Sequence, residues 1–266
     1  MLDVEFAQLS DAGRVRSHNE DYLGFVSPKD AKSARTHGWL FVLADGVGGQ
    51  DRGEVASRVA VESVLADFRA APAGEPLPSL LTRLLQAANA RVLDAGMAAA
   101  PGGVNMATTM VACGLRFDRA VVAHAGDSRC YLIRQGKAVV LTRDHTVANE
   151  QLRMGVLTAR EAASVDARHL LTRSLGSGMA VNVDVSEHQV TPGDLLVLCS
   201  DGLHGAVETA DLTLMLTPGR DLELAVRDLV HLANQKDGSD NISIQAVRVR
   251  AVERIGMYRG RPYRLR

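Results

Sequence analysis

Four short apolar runs follow one another at 108–117, 120–125, 129–134 and 138–141, punctuated only by FDR, GDS and RQGK. Connections this short join antiparallel neighbours and cannot carry the crossover that two parallel strands need. This half of the chain is therefore expected to be an antiparallel meander, which excludes a fold of repeated βαβ units. Further strand signals lie at 39–44 (WLFVLA), 183–190, 195–200 and 242–249, the last through Ile242, Ile244, Ala246 and Val247. Helical spacing of apolar residues marks 53–70 and 80–97, separated by APAGEPLP, and 222–234. Between 142 and 178 the chain turns polar and helical, with Thr158 and Glu161 in a capping-box pattern, and is expected to be an inserted flap. The tail, 251–266, is expected to be basic and irregular. Helices flanking antiparallel strands make the fold α+β, in one domain over 1–250.

Composition removes several function classes. A chain of 266 residues that is 46% hydrophobic and 23% charged is neither disordered nor membrane-embedded by composition. With 30 Lys+Arg against 31 Asp+Glu it has no overall field to attract nucleic acid or anionic lipid. Cys113, Cys130 and Cys199 sit apart in apolar runs without a CxxC, so neither a disulfide framework nor a zinc site is expected. No leader pattern and no membrane-length apolar run is present, and the expected location is the cytoplasm.

Aspartates recur where strands give way to turns: Asp45 in ADGVGG, Asp127 in AGDSR, Asp201 in CSDGL and Asp240 in GSDNIS, with Asp21 in RSHNED. A single Asp-Gly is an ordinary turn. Several carboxylates gathered at one place would repel one another unless cations neutralised them. Oxygen-only ligation selects Mg²⁺ or Mn²⁺, and two such ions form the arrangement used in phosphate ester hydrolysis, with a metal-activated bridging water as nucleophile. Arg16, five residues before Asp21, has the planar fork that suits two phosphate oxygens.

The motifs RSHNEDYLG, FVLADGVGG, ATTMV, AHAGDSRCYLIRQG, LLTRSLG, GDLLVLCSDGL and SDNISIQAV occur in that order over about residues 6–249. In them the chain resembles bacterial members of the metal-dependent protein phosphatase 2C (PPM) family of Ser/Thr phosphatases. The resemblance implies a four-layer α-β-β-α sandwich with two central antiparallel sheets and a binuclear Mn²⁺ or Mg²⁺ centre at one end. It implies that Asp45 bridges the two metals, that the Gly46 carbonyl is a second contact, and that Asp201 and Asp240 complete the first metal's side-chain ligands. Asp21 matches the aspartate close to the second metal, and Glu20 an acidic residue acting directly or through water. Arg16 matches the phosphate-binding arginine, and Asp127, with Asp201, the ligands of a weaker third ion.

Three features depart from the family pattern. Val47 stands where eukaryotic members carry a histidine proposed to protonate the leaving group, so water must supply that proton. Gly205 stands where the family often has a further acid for the third metal, and VDARH replaces the usual His-Pro before the LLTRSLG segment. His18, His124, His145 and His204 are candidate acids but are expected in turns or behind the site, with His145 the first to test. Thr108 and Thr109 either steady a ligand carboxylate or simply form strand, and Cys199 is expected to be a buried, inert thiol. Arg254, Arg259, Arg261, Arg264 and Arg266, interleaved with Tyr258 and Tyr263, make the tail a candidate dock for an acidic partner or membrane surface.

The expected function is hydrolysis of phosphothreonine and phosphoserine on proteins, reversing a Hanks-type Ser/Thr kinase. The alternatives are a catalytically silent regulatory module, disfavoured because Arg16, Asp21, Asp45, Asp201 and Asp240 are all present, and a hydrolase of small phosphate esters. No coiled-coil heptads are present, and a monomer is expected.

Overall fold

Residues 40–44 are buried along their whole length, and successive side chains go to two different cores. Leu40, Val42 and Ala44 pack among helical residues, while Phe41 and Leu43 pack against a second sheet. Residues 195–199 divide in the same way, with Leu196 and Leu198 on the shared inner face and Leu195, Val197 and Cys199 turned to helices. A strand apolar on both faces must be covered on both faces, so two such sheets stacked together require an outer helical layer on each side.

The computed structural model describes residues 1–47, 52–258 and 261–264. Gly48 and Gly49 of the DGVGG turn, and Arg259 and Arg266 of the tail, lie outside the described residues. The chain begins with β1 (Asp3–Asp11), β2 (Asp21–Val26), α1 (Ala31–Thr36), β3 (Trp39–Asp45), α2 (Gly53–Ala70) and α3 (Leu77–Ala98). The meander follows as β4 (Met110–Arg116), β5 (Arg119–Ala125), β6 (Arg129–Arg134) and β7 (Lys137–Val140). Next come α4 (Val147–Arg153), α5 (Ala159–Ser164) and a 3₁₀ turn (Asp166–His169), then β8 (Asp184–Gln189), β9 (Leu195–Cys199), α6 (Asp201–His204), α7 (Thr209–Met215) and α8 (Leu222–Lys236). β10 (Ile242–Ala251), β11 (Ile255–Tyr258) and β12 (Arg261–Arg264) end the described chain.

One antiparallel sheet runs β1-β10-β9-β6-β7 and the other β2-β3-β4-β5-β8. The meander does not stay in one sheet: β5 ends the pairing with β4, and β6 crosses to lie beside β9. α2 and α3 cover the second sheet through Val61, Val64, Phe68, Leu81 and Leu84, and α7 and α8 cover the first through Leu212, Leu222, Val226 and Leu229. The fold is thus the four-layer α-β-β-α sandwich expected. The capping box at Thr158 and Glu161 forms, and the three cysteines are buried and free. No described helix is long and apolar enough to cross a membrane.

Two strands have no clear signal in the sequence. In β1 the apolar residues are split between the two faces, Val4 and Phe6 on one and Ala7 and Leu9 on the other, so neither face carries a long apolar run; the strand pairs along its length with β10. β2 carries Gly24 at its centre, where a Cβ would lie 2.5 Å from a Leu65 methyl and 2.8 Å from one of Val61 on α2. The glycine lowers strand propensity and at the same time lets the helix approach the sheet. The tail also differs from expectation: its backbone is not irregular but an antiparallel strand pair, Ile255 opposite Arg264 and Tyr258 opposite Arg261.

Candidate metal centre

Antiparallel pairing places the chain's aspartates at one end of the sandwich. Asp21 starts β2 and Asp45 ends β3, so the two sit on the same edge as direct cross-strand partners. In the other sheet Asp201 follows β9, Asp240 precedes β10 and Asp127 precedes β6, and antiparallel order again puts all three at one end. The stacked sheets bring both groups to a cavity of about 400 Å³ whose wall includes Glu20, Asp45, Gly46, Asp127, Asp201 and Asp240. Asp237 adds a sixth carboxylate, against which, among the described residues, the lining has only Arg16 and His169 as basic groups.

This excess of acid shows in the titration of Asp45, Asp127 and Asp201, and of Asp21 behind them. Burial, then the charges of Asp21, Asp201, Asp127 and Asp240, hold the Asp45 carboxyl well above its ordinary range. Burial raises Asp127 to about 8, with Asp201 adding to it, and burial followed by Asp240 raises Asp201. Asp21 is pushed up to about 7 by burial, although hydrogen bonds from Ser243 and Ser200 oppose the shift. Ser200 Oγ donates to Asp21 Oδ2 at 2.9 Å, but Asp21 Oδ1 is buried with no hydrogen-bond partner among the described residues. Crowded oxygen donors that resist ionisation, one of them with an orphaned atom, fit hard divalent cations and no softer metal.

Local contacts fix the ligand-bearing turns. Asn241 accepts from the Glu20 N–H through Oδ1 at 2.8 Å, and its Nδ2 donates to the carbonyls of Ala12 and His18 at 3.0 Å each. It thereby pins the loop that carries Arg16 and Glu20. Burial raises the Glu20 carboxyl, with Arg16 pulling it back. Arg16 Nη2 donates to Asp240 Oδ2 at 2.9 Å at the cavity mouth. At Gly202, in the first turn of α6, a Cβ would stand 2.1 Å from the Asn241 carbonyl oxygen, so only glycine lets the Asp201 turn meet the Asp240 turn.

Thr108 and Thr109 serve the backbone of Asp45 and not its carboxylate. Thr108 Oγ1 donates to the Asp45 carbonyl at 2.7 Å, and Thr109 Oγ1 accepts from the Asp45 N–H at 3.1 Å. Asp21 lies beneath the cavity and does not line it, whereas Val47 and Gly205 do.

His145 is not at the reacting centre. It is fully buried, its ring stacks on His124 with centroids 4.7 Å apart, and it contacts Asp184 at 3.2 Å. Burial, then His124, lowers it to about 4. Arg143 and Arg173 also bond Asp184, whose carboxyl Arg173 and His145 hold at about 2 against its burial. With Asp184 already neutralised, the group fastens the 142–178 segment to β5 and β8 and is not a cation site. His18 is exposed, and His204 bonds the Asp127 carbonyl from behind the wall. The histidine that does line the cavity is His169, with Nδ1 3.9 Å from Asp201 Oδ2. Its only sequence signal is its place just before LLTRSLG.

A carboxylate-lined cleft at the end of paired antiparallel sheets, with an arginine at its mouth, defines a hydrolase that handles phosphoesters with divalent cations. The chain belongs to the protein phosphatase 2C family, whose model matches residues 14–243. It is 34% identical over 256 residues to the serine/threonine phosphatase stp of Listeria innocua, covering 95% of this chain and 96% of that protein. The S. agalactiae serine/threonine phosphatase superposes with a TM-score of 0.83 at 33% identity, over 93% of this chain and all of that one (100%). The catalytic domain of the phosphatase PstP, in complex with two manganese ions, matches with a TM-score of 0.77 at 29% identity, over 94% and 100% of the two chains. The protein is accordingly a metal-dependent serine/threonine phosphoprotein phosphatase.

Proposed function

We propose that Asp45, the Gly46 carbonyl, Asp201, Asp240 and Asp21 hold two Mn²⁺ or Mg²⁺ ions, and that Asp127 with Asp201 holds a weaker third. The observation that carries this reading is the acid-lined cavity itself, in which Asp45, Asp127 and Asp201 are driven out of their ordinary range by burial and by neighbouring carboxylates. When bound, the ions supply an activated water and stabilise charge on the phosphoryl oxygens. Arg16 grips the phosphate: one N–H is used on Asp240, and the rest of the planar guanidinium is left for phosphate oxygens. Glu20, held by Asn241, acts at the cavity wall directly or through water. A P–O bond forms to water and the bond to the serine or threonine oxygen breaks. Val47 has no proton to give, so the leaving alkoxide takes its proton from water.

The catalytic domain in this reading is 1–250, and 142–178 is a flap that shapes substrate choice, because it is a polar segment whose His169 and Leu171 reach the cavity wall. The enzyme works as a cytoplasmic monomer in signal transduction, opposing a Hanks-type Ser/Thr kinase. The test is phosphate release from a phosphothreonine peptide with EDTA, with Mg²⁺ and with Mn²⁺. Activity only with metal, and none in Asp45→Asn, is the expected result; metal binding without turnover by folded protein points instead to a regulatory module.

A further inference from the structure

The turn between β5 and β6 is held residue by residue from different directions. Gly126 exchanges two bonds with His145, its N–H donating to Nδ1 at 3.2 Å and its carbonyl accepting from the His145 N–H at 3.0 Å. Ser128 Oγ meets Thr109 Oγ1 at 2.7 Å, and Arg129 forks onto Asp144 at 2.9 and 2.6 Å. Asp127, the one residue of this turn that lines the cavity, is held through its carbonyl, to which His204 Nε2 donates at 3.0 Å. A carbonyl only accepts, so the proton of the ring is on Nε2 and the tautomer is fixed.

His204 ends α6, the single turn that Asp201 begins. One hydrogen bond therefore ties the segment carrying Asp201 to the segment carrying Asp127, and both carboxylates face the same cavity. The place where a further acid would stand is Gly205, which offers no side-chain donor. With fewer ligands, affinity depends more on how well the remaining two are pre-set, and outer contacts of this kind set ligand orientation.

We propose that His204 is a positioning residue that fixes the spacing of Asp127 and Asp201 and thereby sets the affinity of the weak third divalent cation. This rests on the reading of Asp127 and Asp201 as that ion's ligands. His204→Leu removes the donor at similar volume, His204→Gln keeps an amide N–H at about the reach of Nε2, and His204→Asn falls short of it.

The experiment is calorimetric titration of the metal-stripped full chain with Mn²⁺, with thermal unfolding in EDTA to follow the fold. In His204→Leu and His204→Asn the weak binding step is expected to loosen about tenfold while the tight steps stay unchanged, and His204→Gln is expected to bind within about twofold of the parent protein. Asp127→Asn is the control and abolishes the weak step. If the weak step survives in Asp127→Asn, the ligand reading itself fails. If Asp127→Asn removes it but His204→Leu leaves it intact, weakens every step alike, or matches His204→Gln, the role of His204 is overturned. Should His204→Leu not fold, the comparison of His204→Gln with His204→Asn decides in the same way.

Discussion

Asp21 and Asp45 are direct cross-strand partners on β2 and β3, at the edge where both strands meet the cavity. Like charges placed opposite one another on a sheet destabilise it, and here both carboxyls are also buried. The pair is stable with protons or with cations, and the enzyme's chemistry requires the cations.

Asp45→Asn is expected to lower kcat/KM by more than the roughly 10–100-fold that loss of an outer contact to a metal ligand costs. The same change relieves repulsion, so the metal-free variant is expected to melt higher than the parent and to gain less from Mn²⁺. Near-normal turnover, measured on a phosphopeptide with saturating Mn²⁺, would falsify the bridging role.

Stability of the metal-free protein is expected to fall between pH 6.5 and 8. Unfolded carboxyls ionise near pH 4, whereas Asp21 and Asp127 keep their protons up to about 7 and about 8 in the fold. Over that window the unfolded state binds fewer protons, so raising pH favours it. Buried His145 and His204, lowered from 6.5 to about 4, act with the opposite sign but only below pH 6.5, where the unfolded chain takes up protons that the fold refuses. Excess Mn²⁺ is expected to raise the melting temperature and to flatten or reverse the slope, since ligands bind the ion when deprotonated. Melting curves in EDTA and in Mn²⁺ at the two pH values check this; a Tm that climbs with pH in EDTA contradicts it.

Arg16→Ala is expected to raise KM for phosphopeptide roughly tenfold, the equivalent of one charge-assisted hydrogen bond of about 1.5 kcal/mol, with a smaller effect on kcat. Steady-state kinetics separate the two constants. A loss confined to kcat would place Arg16 in the transition state alone.

Asn241→Leu is expected to destabilise the fold by about 2–3 kcal/mol, because Glu20 N–H and the carbonyls of Ala12 and His18 all lose their partner. The loop bearing Arg16 loosens with them, so KM is expected to rise as well. Urea unfolding and kinetics on the same sample test both; unchanged KM with reduced stability would separate the scaffold from the site.

The sequence by itself determined most of the strands and helices and the candidate ligands, and the layers only through the family resemblance. Residues 39–44 and 195–199 are short continuous apolar runs of the kind that strands covered on both faces carry, 242–249 alternates, and the aspartates at their ends are placed by strand length and turn chemistry, which are local. Tertiary structure decided the rest. β1 and β2 exist because β10 and β3 pair with them, and Gly24 in β2 is explained only by the approach of Leu65 and Val61. Asp21 lies under the cavity, His145 fastens a distant segment and His169 reaches the wall, although nothing in their sequence neighbourhoods separates these outcomes. Side-chain periodicity is a short-range property that a strand or helix carries alone, whereas burial, partner and charge at a given residue depend on chain segments up to hundreds of residues away.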